Sequence, residues 1–110
     1  MPTNHGHFYF RLTSNGNLIG EYSNDGLNGA STESAGRVLV EGESNRLHSF
    51  IGLFDTCWLE DKTSKYAQLE IEAVKYGMFS LTWKNKKRDT LYRGKGMIVD
   101  GILIGDYAPE

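Results

Sequence analysis

The sequence predicts an all-β protein: an antiparallel up-and-down meander of about eight strands, closed or nearly closed into a barrel. Three observations carry this. Apolar and polar residues alternate with a period of two along most of the chain, the signature of strands with one buried face. The two prolines, Pro2 and Pro109, sit at the ends, while 13 glycines are spread between them, as in strands joined by tight turns. Residues 16–22, "GNLIGEY", return almost unchanged at residues 101–107, "GILIGDY".

The elements follow in order. In "HFYFRL", Phe8, Phe10 and Leu12 share a face. Asn15-Gly16 then marks a hairpin turn, after which Leu18, Gly20 and Tyr22 share a face. Residues 23–35, "SNDGLNGASTESA", are polar and Gly-rich and are expected to form the longest loop. "GRVLVEGE" sets Val38 and Val40 opposite Arg37, Leu39 and Glu41, and "LHSFIGLFD" groups Phe50, Gly52 and Phe54. The best helical candidate, "CWLEDKTSKYAQLE", is set aside because its continuation alternates and is β-branched. In "AQLEIEAV", Leu69, Ile71 and Ala73 oppose Gln68, Glu70 and Glu72. "MFSLTWK" turns Phe79, Leu81 and Trp83 inward. "LYRGKGMIV" groups Tyr92, Gly94, Gly96 and Ile98, and "ILIGDY" groups Leu103, Gly105 and Tyr107.

At 110 residues the chain fits a single domain, 1–110. The repeat places similar hairpins at its two ends. An up-and-down barrel removes its free edges by pairing first and last strands, so the repeat is expected at that closure rather than in a functional motif.

The net charge of -2 counts against a nucleic-acid partner. The N-terminal "MPTNHGHFYF" lacks the basic start and apolar run of a signal peptide, and no apolar stretch is long enough to span a membrane. With Cys57 alone, no intrachain disulfide can form. A cytoplasmic location without a membrane partner is expected.

Residues 66–108, "YAQLEIEAVKYGMFSLTWKNKKRDTLYRGKGMIVDGILIGDYA", run through an alternating strand, a strand ending at Trp83, the pattern Tyr92-x-Gly94-x-Gly96, and a strand ending in an aromatic residue. This stretch resembles the C-terminal meander of calycin-type bacterial barrels. The "GEY" of residues 20–22 and the spacing of Tyr76-Gly77 from Trp83 are similar to avidin and lipocalin relatives. The resemblance implies a small calycin-like barrel whose interior can hold a ligand.

The candidate chemistry is sparse. "RGKG" at residues 93–96 lacks the long loop, the following Ser or Thr and the helix of a phosphate cradle. Inward glycines there suit sharp coiling or a neighbouring ring. His5, His7 and His48 lack the further ligands a zinc site needs, so no metal or other cofactor is expected. Cys57, near His48 and Ser49 in sequence, has no motif of an activated nucleophile and is expected to be a buried small hydrophobe. Glu70 and Glu72 are expected to face water, and an enzyme is not expected. "KNKKR", residues 84–88, reads as a solvated hairpin tip.

That leaves the large rings. Tyr22, Trp58, Trp83, Tyr92 and Tyr107 are expected to point inward together with Phe10. They either pack a core or wall a pocket for a small apolar or aromatic ligand, with inward glycines leaving the space. The ligand-binding module is the leading expectation. The alternative is an interaction or regulatory module with a packed interior, acting through its outer face or through residues 23–35. Ile51, Leu53, Ile19 and Ile104 are expected on that outer face, as a surface for a homodimer.

Overall fold

The computed structural model describes residues 5–26, 29–39 and 47–110. Eight strands follow one another: β1 (Gly6–Leu12), β2 (Leu18–Asn24), β3 (Ser31–Arg37), β4 (Gly52–Glu60), β5 (Thr63–Ala73), β6 (Met78–Lys84), β7 (Thr90–Val99) and β8 (Ile102–Pro109). Each pairs antiparallel with the next, and β1 pairs with β8 to close the barrel. The architecture is the eight-stranded up-and-down barrel that the alternation predicts.

Turn chemistry explains the connections. Asp61 and Lys62 both take positive φ, as do Asp100 and Gly101. Two-residue turns of this hand match the twist of the strands they join. The first pair sits in the middle of the rejected helical segment, which is the β4–β5 hairpin. A single 3-10 turn, Lys75–Gly77, links β5 to β6. The "KNKKR" tip is held by Asn85, whose side-chain oxygen accepts from the backbone N–H of Lys87 at 2.9 Å and of Asp89 at 3.0 Å.

Several expectations need correction. Residues 23–35 are not one long loop: β2 runs to Asn24 and β3 begins at Ser31. The third strand is therefore "STESAGR", and Val38 and Leu39 lie beyond its end, while Val40 and Glu41 fall outside the described residues. The physical reason is that a closed barrel buries one face of β3 whatever its polarity, so Glu33 and Ala35 turn inward. Phe50 is buried but precedes β4. Ala73 and Ile98 stand near strand ends, beyond the enclosed length of the barrel, and are exposed. Ile51 and Leu53 are half-buried rather than exposed. Cys57 is half-buried on the outer face, between the inward Thr56 and Trp58, with its Sγ 3.4 Å from Ser34 Oγ.

The core runs along the barrel axis. Phe10, Leu18, Phe54, Leu69, Ile71, Leu81 and Leu103 are its most deeply buried side chains. One end is closed by Arg37, at the C-terminal end of β3. Its Nε donates to the Gly16 carbonyl at 2.8 Å, its Nη1 to Ile51 at 2.9 Å and its Nη2 to Ser49. The guanidinium also lies 4.6 Å from the Phe54 ring centroid, within cation–π range. Gly52 makes room for it, since a Cβ there would stand 2.6 Å from Nη1. The opposite end carries the aromatic residues.

Candidate functional site

The site grows out of the period of two. Near one rim, β1 presents Phe8, β2 Tyr22 and Asn24, β3 Glu33, and β4 Trp58 and Glu60. On the far side, β6, β7 and β8 present Trp83, Tyr92 and Tyr107. All nine side chains line one cavity that opens at the rim. The space open to water-sized groups in it is about 30 Å³, and the unfilled space reaches about 360 Å³ when open solvent at the mouth is included. That is room for about two water-sized groups.

Tyr22, Trp58, Trp83, Tyr92 and Tyr107, the five rings singled out from the sequence, therefore stand around one opening. Four of them are joined edge to face, and Trp83 meets Tyr107 at a tilt of 54°. Ring centroids are 6.3 Å apart for Tyr22–Tyr107, 5.6 Å for Tyr92–Tyr107 and 6.3 Å for Trp58–Tyr92, with interplanar angles of 76–85°. Such pairs set the positive edge of one ring against the negative face of the next and hold each other in place. The rings do a second job, since Trp83 and Phe8 also belong to the buried core.

The inward glycines do not hold space open for a ligand. At Gly94 a Cβ would lie 3.1 Å from the Trp83 ring and 3.3 Å from the Phe8 ring, so these rings already occupy the gap. Gly6 likewise admits the Tyr107 ring, at 2.5 Å from where its Cβ would be. This confirms the structural purpose of the glycine in "RGKG".

The residue that sequence reasoning missed is Glu33. It is 5% exposed, at the base of the cavity. Its Oε2 accepts from Thr56 Oγ1 at 2.5 Å and from Trp83 Nε1 at 2.9 Å. Oε1 accepts no hydrogen bond among the described residues. A buried oxygen in that position would count as unsatisfied, and no such atom occurs among the described residues, so Oε1 opens to the cavity. Burial pushes the Glu33 carboxyl up from 4.5 to about 7, while the bonds from Thr56 and Trp83 pull the other way. The signal for Glu33 was hidden because "STES" carries no large apolar partner to reveal the alternation.

The tyrosine hydroxyls are neutral donors at ordinary pH. Burial raises all three, and Tyr107 is pushed up to about 12. Tyr22 donates to the Leu59 carbonyl at 2.6 Å. Tyr107 accepts from Asn24 Nδ2 at 2.9 Å, which leaves its own proton for another acceptor. At the rim, Trp58 Nε1 reaches Glu60 Oε1 at 3.4 Å.

The other candidates stay apart from this site. His7 Nδ1 lies 2.6 Å from Asp106 Oδ1, and both side chains are largely exposed. Among the described residues no group of three or more His, Cys, Asp or Glu is placed to hold a metal ion. No helix among them is long and apolar enough to cross a membrane.

No family model, no curated protein and no solved structure matches the chain.

Proposed function

We propose that this is a calycin-like binding barrel whose open mouth takes a small, one-ring aromatic ligand. The observation that carries the reading is the convergence of five large rings and one buried, half-satisfied carboxyl on a single opening. A binding site of this kind combines an apolar wall with a few placed polar groups. Here the wall is the ring collar, and the polar groups are Glu33 Oε1 and the Tyr107 hydroxyl. The space open to water-sized groups is small, so the ligand would insert one polar group and lay its ring in the mouth.

The test is a set of ¹H–¹⁵N spectra recorded with phenol, benzyl alcohol and indole. Saturable shifts confined to the indole N–H groups of Trp58 and Trp83 and to neighbouring backbone are expected. Tyr107→Ala should weaken them. Spectra unmoved by every probe, or moved only at the Arg37 end, would reject the mouth as a binding site.

A second reading is favoured by a separate observation. Ile19, Met97, Val99 and Ile104 lie 44–58% exposed on the outer faces of β2, β7 and β8. Met97 and Ile104 are register partners, as are Ile104 and Tyr9. Arg11, Glu21, Lys95 and Asp106 stand on the same outward face and carry both signs of charge. We propose this stripe as the contact surface for a second copy, since a two-fold contact must be self-complementary.

A further inference from the structure

We infer that the mouth selects a small aromatic amine, bound as its ammonium ion, with the charged end at Glu33 and Glu60 and the ring in the aromatic collar. This rests on the mouth being a binding site and adds the chemical class of its ligand.

Charge is the first argument. Among the described residues the cavity lining contains two carboxyl groups and no Lys, Arg or His. An anionic ligand would meet repulsion there with no compensating base. A neutral ligand would leave Glu33 buried without a counter-charge, which is costly for an ionised group. A cation removes that cost and is attracted to the faces of Trp and Tyr rings as well. The pairing of carboxyl groups with a ring collar is thus the composition that recognises organic cations.

Size and hydrogen bonding agree. The space open to water-sized groups in the cavity, about 30 Å³, accepts a group of ammonium size and is too small for a ring. An ammonium carries N–H donors, and Glu33 Oε1 is a buried-side acceptor within the cavity that the protein itself leaves open. Oε2 is already committed to Thr56 and Trp83, which hold the carboxyl in one orientation. The ring of the ligand then lies in the wider mouth against Trp58, Tyr92 and Tyr107.

The same arrangement links binding to pH. The groups around Glu33 are Tyr22 on β2, Glu60 on β4, Tyr92 on β7 and Tyr107 on β8. On β5, Lys65 is the register partner of Trp58 but is exposed and does not line the cavity. The three tyrosines stay protonated throughout the neutral range. Glu33, titrating near 7, must be ionised to hold the cation, so binding releases a proton to solvent. Affinity for the cation rises as the pH rises through that value.

The experiment is calorimetric titration of the intact protein with benzylamine and with benzyl alcohol, at pH 6 and pH 8. Benzylamine should bind at least tenfold more tightly than benzyl alcohol at pH 8. Its affinity should fall about tenfold at pH 6, as Glu33 takes up its proton. Glu33→Gln should abolish both the preference and the pH dependence. Glu60→Gln, at the rim, should reduce the preference and serves if the first variant does not fold. Equal affinity for amine and alcohol would overturn the cation assignment and leave the binding mouth standing. Binding of neither would overturn both. A preference for the amine that is flat between pH 6 and 8 would overturn the role of Glu33.

Discussion

Glu33 shows how far one side chain is governed by its surroundings. Its carboxyl ordinarily titrates at 4.5 and is raised to about 7 by burial. Between those values the unfolded chain carries the charge and the folded chain does not. The unfolded state therefore binds fewer protons, and stability falls as pH rises through that window. The slope is about 1.4 kcal/mol per pH unit. The stabilisation is fully present below about 4.5 and fully lost above about 7. Glu33→Gln is neutral in both states and removes this contribution. Urea unfolding followed by circular dichroism at pH 5 and pH 8 should show the variant gaining on the parent at the higher pH, by on the order of 3 kcal/mol. A gap that does not change with pH would mean that Glu33 ionises as easily folded as unfolded. Nothing in the amino-acid order marked this residue. Its neighbours Ser31, Thr32 and Ser34 are polar, so its inward orientation becomes evident only once β2 and β4 are in place on either side. Tyr22, Trp83, Tyr92 and Tyr107 were legible by contrast, because each stands on a strand whose alternation is read directly from the sequence, whereas Trp58 lies in the segment that most resembled a helix.

The two near-identical segments are β2 and β8, and both are hydrogen-bonded to β1. Each begins after a glycine with positive φ, Gly16 or Gly101. Each then points Leu, Gly and Tyr inward. The repeat thus does mark the closure, and it also brings Tyr22 and Tyr107 to the mouth on either side of β1, which its structural interpretation alone did not anticipate. Its second glycine has a steric reason. A Cβ at Gly20 would stand 1.9 Å from the Tyr9 carbonyl oxygen, and one at Gly105 would stand 1.9 Å from that of Lys95. Neither position can yield without moving a backbone. Gly20→Ala and Gly105→Ala should each cost about 1–3 kcal/mol or more in urea unfolding. Gly36→Ala on β3, whose nearest neighbour would be 4.0 Å away, should be neutral or stabilising by up to about 1 kcal/mol. Equal effects at the three positions would contradict the close approach. The strands β5 to β8 were legible because their apolar positions are filled by large residues. The third strand was displaced in the sequence-based expectation because its inward positions are Glu33 and Ala35, neither of which announces a core.

At the scale of the whole molecule, one end of the barrel is shut and the other open. Arg37 ties Gly16, Ser49 and Ile51 together across the shut end, and the ring collar surrounds the open one. This polarity separates the two proposed surfaces: the mouth for a small molecule, and the outer stripe of Ile19, Met97, Val99 and Ile104 for a second copy. Sedimentation of the parent protein should reveal a dimer, and Ile104→Lys should return it to monomer without changing its stability by more than about 0.5 kcal/mol. A monomer at every accessible concentration would dismiss the stripe as an interface. The barrel and its aromatic interior were foreseeable from alternation. The polarity was not, because it depends on a guanidinium reaching three backbone carbonyls from two loops.

Trp58 and Trp83 are the two tryptophans of the chain. Both stand at the same mouth, each with its indole N–H turned to a carboxyl oxygen. When light beyond the tyrosine absorption band excites the indoles alone, the emission of the molecule therefore originates at one place. Any arrival, departure or change of charge there alters the surroundings of every emitting indole at once, with no background from elsewhere in the barrel. The protein carries its own optical gauge of the opening, and a quencher added to the solvent would sense whether that opening is covered.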